Sequence, residues 1–202
     1  MQKRSSQSRD IRWKQWWRYY DSSRWALAIL HGRRFLADYP DFGKGWLILG
    51  TCLMNRNRLD EAEEALRRGL ELRSEDKQAY ALNLLGELAE KRGDYELAAV
   101  HYRRAIEEAP GRASAYIYLG CLLSKQGRLS EAEELFRSAT ECTEGCISEA
   151  FYNLGVNMIN RERFEDAIGY FREALRIDPD DRMAKKAVKE VQQCLDYLRA
   201  AT

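Results

Sequence analysis

One pattern recurs four times along this chain and restricts what it can fold into. Gly50, Gly86, Gly120 and Gly155 stand 36, 34 and 35 residues apart, and Ala62, Ala98, Ala132 and Ala167 repeat those intervals, so each glycine precedes its alanine by 12. Leu66, Tyr102, Phe136 and Phe171 follow in step, then Gly69, Ala105, Ala139 and Ala174. In the last copy, Phe151 to Pro179, Ala167, Phe171 and Ala174 are four and then three residues apart, the spacing of one helix face. That stretch predicts two amphipathic helices joined by a short polar turn. The interval changes fall only between units, in 73–78 and 142–146, which predicts exposed turns where added residues cost little. A glycine inside a helix costs about 1 kcal/mol against alanine, so glycines kept in register predict close helix contacts at those points.

The run of a bulky residue, Leu-Gly, then Ala, an aromatic, Ala and Pro in about 34 residues resembles the tetratricopeptide repeat. The motifs are WLILG, NLLGELAEKRGDYELAAVHYRRAIEEAP, YIYLG and FYNLG with its sequel, covering roughly 43–181. Departures are Gly69 in an alanine slot, and Ser74 and Glu144 where proline is usual. The resemblance implies an all-α, right-handed superhelical solenoid of antiparallel helix hairpins with terminal capping helices. It also implies an inner groove that binds another protein.

Segment boundaries follow from the register: repeats at 43–78, 79–112, 113–147 and 148–181, and a divergent repeat or cap at 9–42. Residues 1–8 are expected as a disordered tail. In 9–42 Trp16 takes the glycine slot, Gly32 the aromatic slot, and Phe35 a slot meant for a small residue, so large and small are exchanged. Trp13, Trp16, Trp17 and Tyr20 make an i, i+3, i+4, i+7 stripe there, expected to pack on the first regular repeat and close the end of the stack. Within the repeats, Asp60 with Glu63 and Ser130 with Glu133 suggest capping boxes, and Gly93-Asp94 and Gly127 suggest turns. Beyond Pro179, Ala184, Ala187, Val188, Val191, Leu195 and Leu198 share one side of 182–200 and Lys185, Lys186 and Lys189 the other, as in a capping helix.

Composition narrows the function classes. With 45% hydrophobic and 32% charged residues the chain suits amphipathic helices rather than disorder, and the net charge of +1 marks neither a nucleic-acid nor a membrane protein. No apolar run approaches the length of a membrane span, and the polar start does not resemble a signal peptide, so a cytoplasmic location is expected. Five scattered cysteines fit that compartment; Cys142 and Cys146 are close in sequence, but His31 and His101 lie far from them, so no metal site and no cofactor are expected. A phosphate loop, HExxH and GxSxG are all missing from the sequence, which points away from an enzyme.

Binding is the expected activity. By the family's geometry the groove is lined by Lys44, Leu47, Thr51 and Met54, then Tyr80, Asn83, Glu87 and Glu90, then Ser114, Ile117, Cys121 and Ser124, then Glu149, Tyr152, Val156 and Ile159. Co-chaperone members hold the acidic C-terminus of heat-shock proteins with a lysine, asparagine and arginine cluster. The Lys/Asn pair would fall here on Leu47 and Thr51, which disfavours that ligand. The mixed surface suits a helix or extended peptide of a protein partner carrying basic and apolar residues. The chain is thus expected to be a non-enzymatic adaptor or scaffold. An alternative is RNA or anionic-membrane association through the N-terminal segment, where residues 1–40 hold nine Lys and Arg against three Asp and the first 46 residues hold all five tryptophans. Homo-oligomerisation through that aromatic end is a third expectation.

Overall fold

The computed structural model describes residues 2–72 and 78–200, with side chains from residue 9 onward. Among the described residues are eleven helices and no strand. They are α1 (Gln2–Asp21), α2 (Trp25–Asp38), α3 (Gly43–Asn55), α4 (Leu59–Glu71), α5 (Gln78–Arg92), α6 (Tyr95–Glu108), α7 (Ala113–Lys125), α8 (Leu129–Thr140), α9 (Ile147–Ile159), α10 (Phe164–Ile177) and α11 (Arg182–Ala200). α1 packs with α2, α3 with α4, α7 with α8 and α9 with α10 as hairpins. From Gln2 on, the polar lead expected as a disordered tail is helical backbone continuous with α1, to which its Gln, Lys and Arg residues are well suited; Met1 lies outside the described residues. The turn expected at 73–78 lies, except for Gln78, outside them too, and Ser74 with it.

Each hairpin bends at the same register position. Ser23, Asn57, Gly93, Gly127 and Glu162 all have φ between 54° and 80°, the left-handed region that lets the chain reverse after a helix. Gly93 and Gly127 take it without a Cβ, as the turns expected of them require; Glu162 takes it with one. The capping boxes are a correction. α4 and α8 begin at Leu59 and Leu129, and the N-cap residues Arg58 and Arg128 make no side-chain cap bond. Asp60 and Ser130 therefore lie inside the first turn, and Glu63 and Glu133 face arginines instead. Side-chain caps exist elsewhere: Asp94 accepts from Leu97 N at 3.0 Å, and Asp181 from Met183 N and Ala184 N at 2.8 and 3.1 Å.

The chain divides into two compact units, Met1–His101 and Tyr102–Thr202. In the first, antiparallel packing of α3 on α4 is set by interlocking large and small residues. A Cβ on Gly50 would lie 2.5 Å from Leu66 Cδ2, and one on Gly69 would lie 2.4 Å from Leu47 Cδ2. Gly69 thus replaces the usual alanine because Leu47 fills that space. α1 and α2 use the reverse arrangement: Trp16, fully buried, stands where a Cβ on Gly32 would come within 2.5 Å of its ring. Trp13, Trp16, Phe35 and Phe42 make a run of aromatic contacts with centroids 4.9 to 5.8 Å apart, continuous with the core of α3 and α4.

In the second unit the rings of Phe136 and Phe171 occupy the spaces opened by Gly120 and Gly155, where a Cβ would meet them at 2.6 and 2.5 Å. Val191 and Leu195 of α11 are buried against Met158, Ile168 and Phe171, with Ala187 and Val188 packed at the edge. Leu198, placed on that apolar side by its spacing, is 48% exposed near the helix end. The segment 142–146 is more than a spacer. Thr143 N and Glu144 N donate to Gly111 O, Ala113 N donates to Glu144 O, and the Arg112 guanidinium pairs with the Glu144 carboxylate at 2.9 Å.

Candidate functional site

The expected lining residues lie on the first helix of each hairpin, but exposure differs sharply among them. In the first unit Leu47, Met54 and Asn83 are all buried, so these three belong to the packing rather than to an open surface. Leu47 is fixed there by the space Gly69 provides. Thr51, half-buried, donates its hydroxyl hydrogen to Leu47 O at 3.1 Å. Lys44, Tyr80 and Glu87 are exposed and Glu90 is half-buried. Lys44 Nζ lies 5.5 and 5.3 Å from the ring centres of Trp13 and Trp17, a cation–π contact with both.

That contact brings in residues of the N-terminal aromatic stripe. Trp13, Trp17 and Tyr20 precede Leu47, Thr51 and Met54 by 34 each, so they hold the same helix positions one hairpin earlier. Trp13 and Tyr20 are partly buried against the core, while Trp17 keeps 39% exposure. Burial, with the nearby Cys52 and Glu87, raises the Tyr20 hydroxyl above its ordinary pKa of 10.0. The aromatic stripe therefore mostly packs against the core of α3 and α4, and Trp17 is its open member.

In the second unit Ile117 is buried, and Ser114, Cys121 and Ser124 are half-buried. Cys121 Sγ lies 3.6 Å from Asn153 Oδ1. Tyr152 is half-buried with its ring 5.4 Å from that of Phe171, and Val156 and Ile159 pack against the cluster that includes α11. Glu149 is exposed in the first turn of α9, yet the surrounding protein strips enough water from it to raise its carboxyl above the ordinary 4.5.

Several carboxylates of the second helices are paired with arginines. On the second helices Arg58 pairs with Glu61, Arg128 with Glu131 and Arg163 with Asp166. Glu63 takes Arg92 and Arg67, and Glu133 takes Arg161 and Arg137. Hydrogen bonds from Arg92, then Arg67, hold the Glu63 carboxyl below the ordinary range. On the first helices, Glu87 and Glu149 have no cationic partner among the described residues.

No group of three or more His, Cys, Asp or Glu side chains able to hold a metal occurs among the described residues. Cys142 sits with Sγ 3.4 Å from Ser138 O, its thiol pushed up chiefly by burial. No helix among the described residues is long and apolar enough to cross a membrane.

Repeated hairpins with an interlocked glycine and aromatic pair, offering one helix face and burying the other, define a helical-repeat interaction fold. The tetratricopeptide repeat family profile matches residues 15–77, 72–113 and 83–145, and a second profile of the same description matches 148–181; the chain belongs to that family. Tetratricopeptide repeat protein 8 of Caenorhabditis elegans is 27% identical over 120 residues, covering 59% of this chain and 24% of its own length, so the chain spans about a quarter of that relative. The structure of pilF from Pseudomonas aeruginosa aligns with a TM-score of 0.67 at 23% identity, over 79% of this chain and 72% of the other. YrrB, described as a tetratricopeptide repeat protein with an unusual peptide-binding site, aligns with a TM-score of 0.56 at 24% identity, over 85% and 87%. Both share the fold.

Proposed function

We propose that this chain is a non-enzymatic cytoplasmic adaptor that holds a peptide or helix of a protein partner on the first-helix faces of its hairpins. The observation that carries this lies on the first helices: Glu87 and Glu149, both exposed, have no cationic partner among the described residues, Glu87 lies near Tyr20, and burial raises the Glu149 carboxyl above its ordinary 4.5. A desolvated, unpaired carboxylate costs stability in the free protein and is repaid when a cation arrives. The complementary partner carries Lys or Arg set among apolar residues. YrrB, a member of the same fold class with a peptide-binding site, is consistent with that use. Five free thiols, with Cys52 buried, fit a reducing compartment.

The test is calorimetric titration of basic amphipathic peptides into the parent and, separately, into Glu87→Lys and Glu149→Lys variants. Each substitution replaces an exposed side chain, so circular dichroism should be unchanged while affinity falls about tenfold, since attraction becomes repulsion. Equal affinity in the parent and both variants would place peptide binding elsewhere.

A further inference from the structure

The turn between α1 and α2 carries an arginine that its counterparts neutralise and it does not. Arg24 stands at the N-cap of α2 as Arg58, Arg128 and Arg163 stand at those of α4, α8 and α10. In those three hairpins the residue three positions on is Glu61, Glu131 or Asp166, and each closes an ion pair with its arginine at 2.5 to 2.6 Å. In the first hairpin that position is Leu27, 41% exposed. Arg24 has no anionic partner among the described residues, and neither has Arg18.

The two arginines share a cleft. It measures about 350 Å³, lies wholly within the first unit, and is lined by Gln15, Arg18, Tyr19, Ser22 and Arg24. No carboxylate lines it. The backbone around it is fixed: Ser22 Oγ donates to Arg18 O at 2.7 Å, Arg24 N to Tyr19 O at 2.9 Å, and Tyr19 stacks on His31 at 4.6 Å. Beside it begins the 14-residue α2, with no acid in its first turn and no side chain capping its amides. Two guanidinium groups, polar side chains and the positive end of a helix dipole thus converge on one concavity.

We infer that this cleft is an anion subsite for a phosphate monoester presented by a protein partner, the external anion taking the place that Glu61, Glu131 and Asp166 fill at the starts of α4, α8 and α10. A phosphate group suits it better than a carboxylate because its three terminal oxygens and near-double charge can engage both guanidinium forks and the helix amides together. The site lies outside the first-helix faces assigned to peptide binding.

The experiment follows the amide resonances of Trp25, Ala26 and Leu27 in the full chain during titration. The probes are inorganic phosphate, a phosphoserine peptide, and the same peptide with glutamate at the modified position. Saturable shifts with the phosphoserine peptide, at least about tenfold tighter than with the glutamate peptide, are expected. Arg24→Ala and Arg18→Ala should each weaken binding about tenfold. Leu27→Glu supplies the missing internal acid, so it should abolish the shifts while leaving the thermal melt unlowered. That variant separates loss of the site from loss of the fold. Unchanged phosphoserine affinity in Leu27→Glu, equal binding of the glutamate peptide, or shifts with inorganic phosphate alone (an adventitious ion only) would each overturn the assignment.

Discussion

Whether a glycine in this chain can accept a methyl group depends on what faces it. Gly120 faces the Phe136 ring, a rigid and buried neighbour that cannot swing aside, whereas Gly169 of α10 has nothing within 4 Å of the position its Cβ would take. Gly120→Ala should therefore destabilise by about 1–3 kcal/mol through overpacking. Gly169→Ala should stabilise by about 0.5–1 kcal/mol through helix propensity. Thermal denaturation of the two variants checks both signs, and an unaffected Gly120→Ala would mean that the ring is not held in place. Glu149 offers a test by pH. Its folded pKa is raised, so the native state holds the proton more tightly than the unfolded chain, and stability falls as pH rises from 4.5 through the raised value. Glu149→Gln should melt above the parent at neutral pH, with the gap closing below 4.5; a gap independent of pH would exclude the carboxylate as its source.

Helices and hairpins were the most legible part of the sequence, because the repeat displays the same small and large residues at fixed offsets four times over. Helix starts were read less well. Asp60 and Ser130 have cap chemistry, but an arginine before each takes the cap position and the hairpin turn decides where the helix begins. The candidate binding faces were legible as positions and not as exposures. Leu47 and Met54 follow the same register as the exposed Lys44, and only tertiary packing, for Leu47 the space left by Gly69, determines that they are buried. Trp17 could have been placed on that face by counting back 34 from Thr51, but as one of four stripe residues it looked like core. Hairpin-to-hairpin ion pairs were hidden as well, since Arg161 and Glu133 are 28 residues apart. Their side chains are 31% and 14% exposed, so screening is incomplete, and Arg161→Ala should cost about 1 kcal/mol in low salt. Melting measured in low and high sodium chloride should show the loss shrinking as salt rises; a salt-independent loss would assign it to packing of the arginine stem.

At the scale of the second unit, the last hairpin packs on α11 and needs it. Truncation after Asp181 uncovers Ile168, Phe171 and Met158, and it should lower the melting temperature and promote dye binding or aggregation. A truncated chain that melts with the parent would show that Val191 and Leu195 contribute little. The placement of the aromatic residues gives the chain an optical asymmetry. All five tryptophans lie before residue 47, within the first unit, and Trp16 is fully enclosed among Trp13 and Phe35. Indole emission therefore monitors the N-terminal unit alone, while the second unit, which has tyrosines but no tryptophan, is silent at wavelengths that excite only indole. Set against far-ultraviolet ellipticity, which sums over every helix, that emission converts an ordinary melt into two records taken from different parts of one molecule, with no label attached.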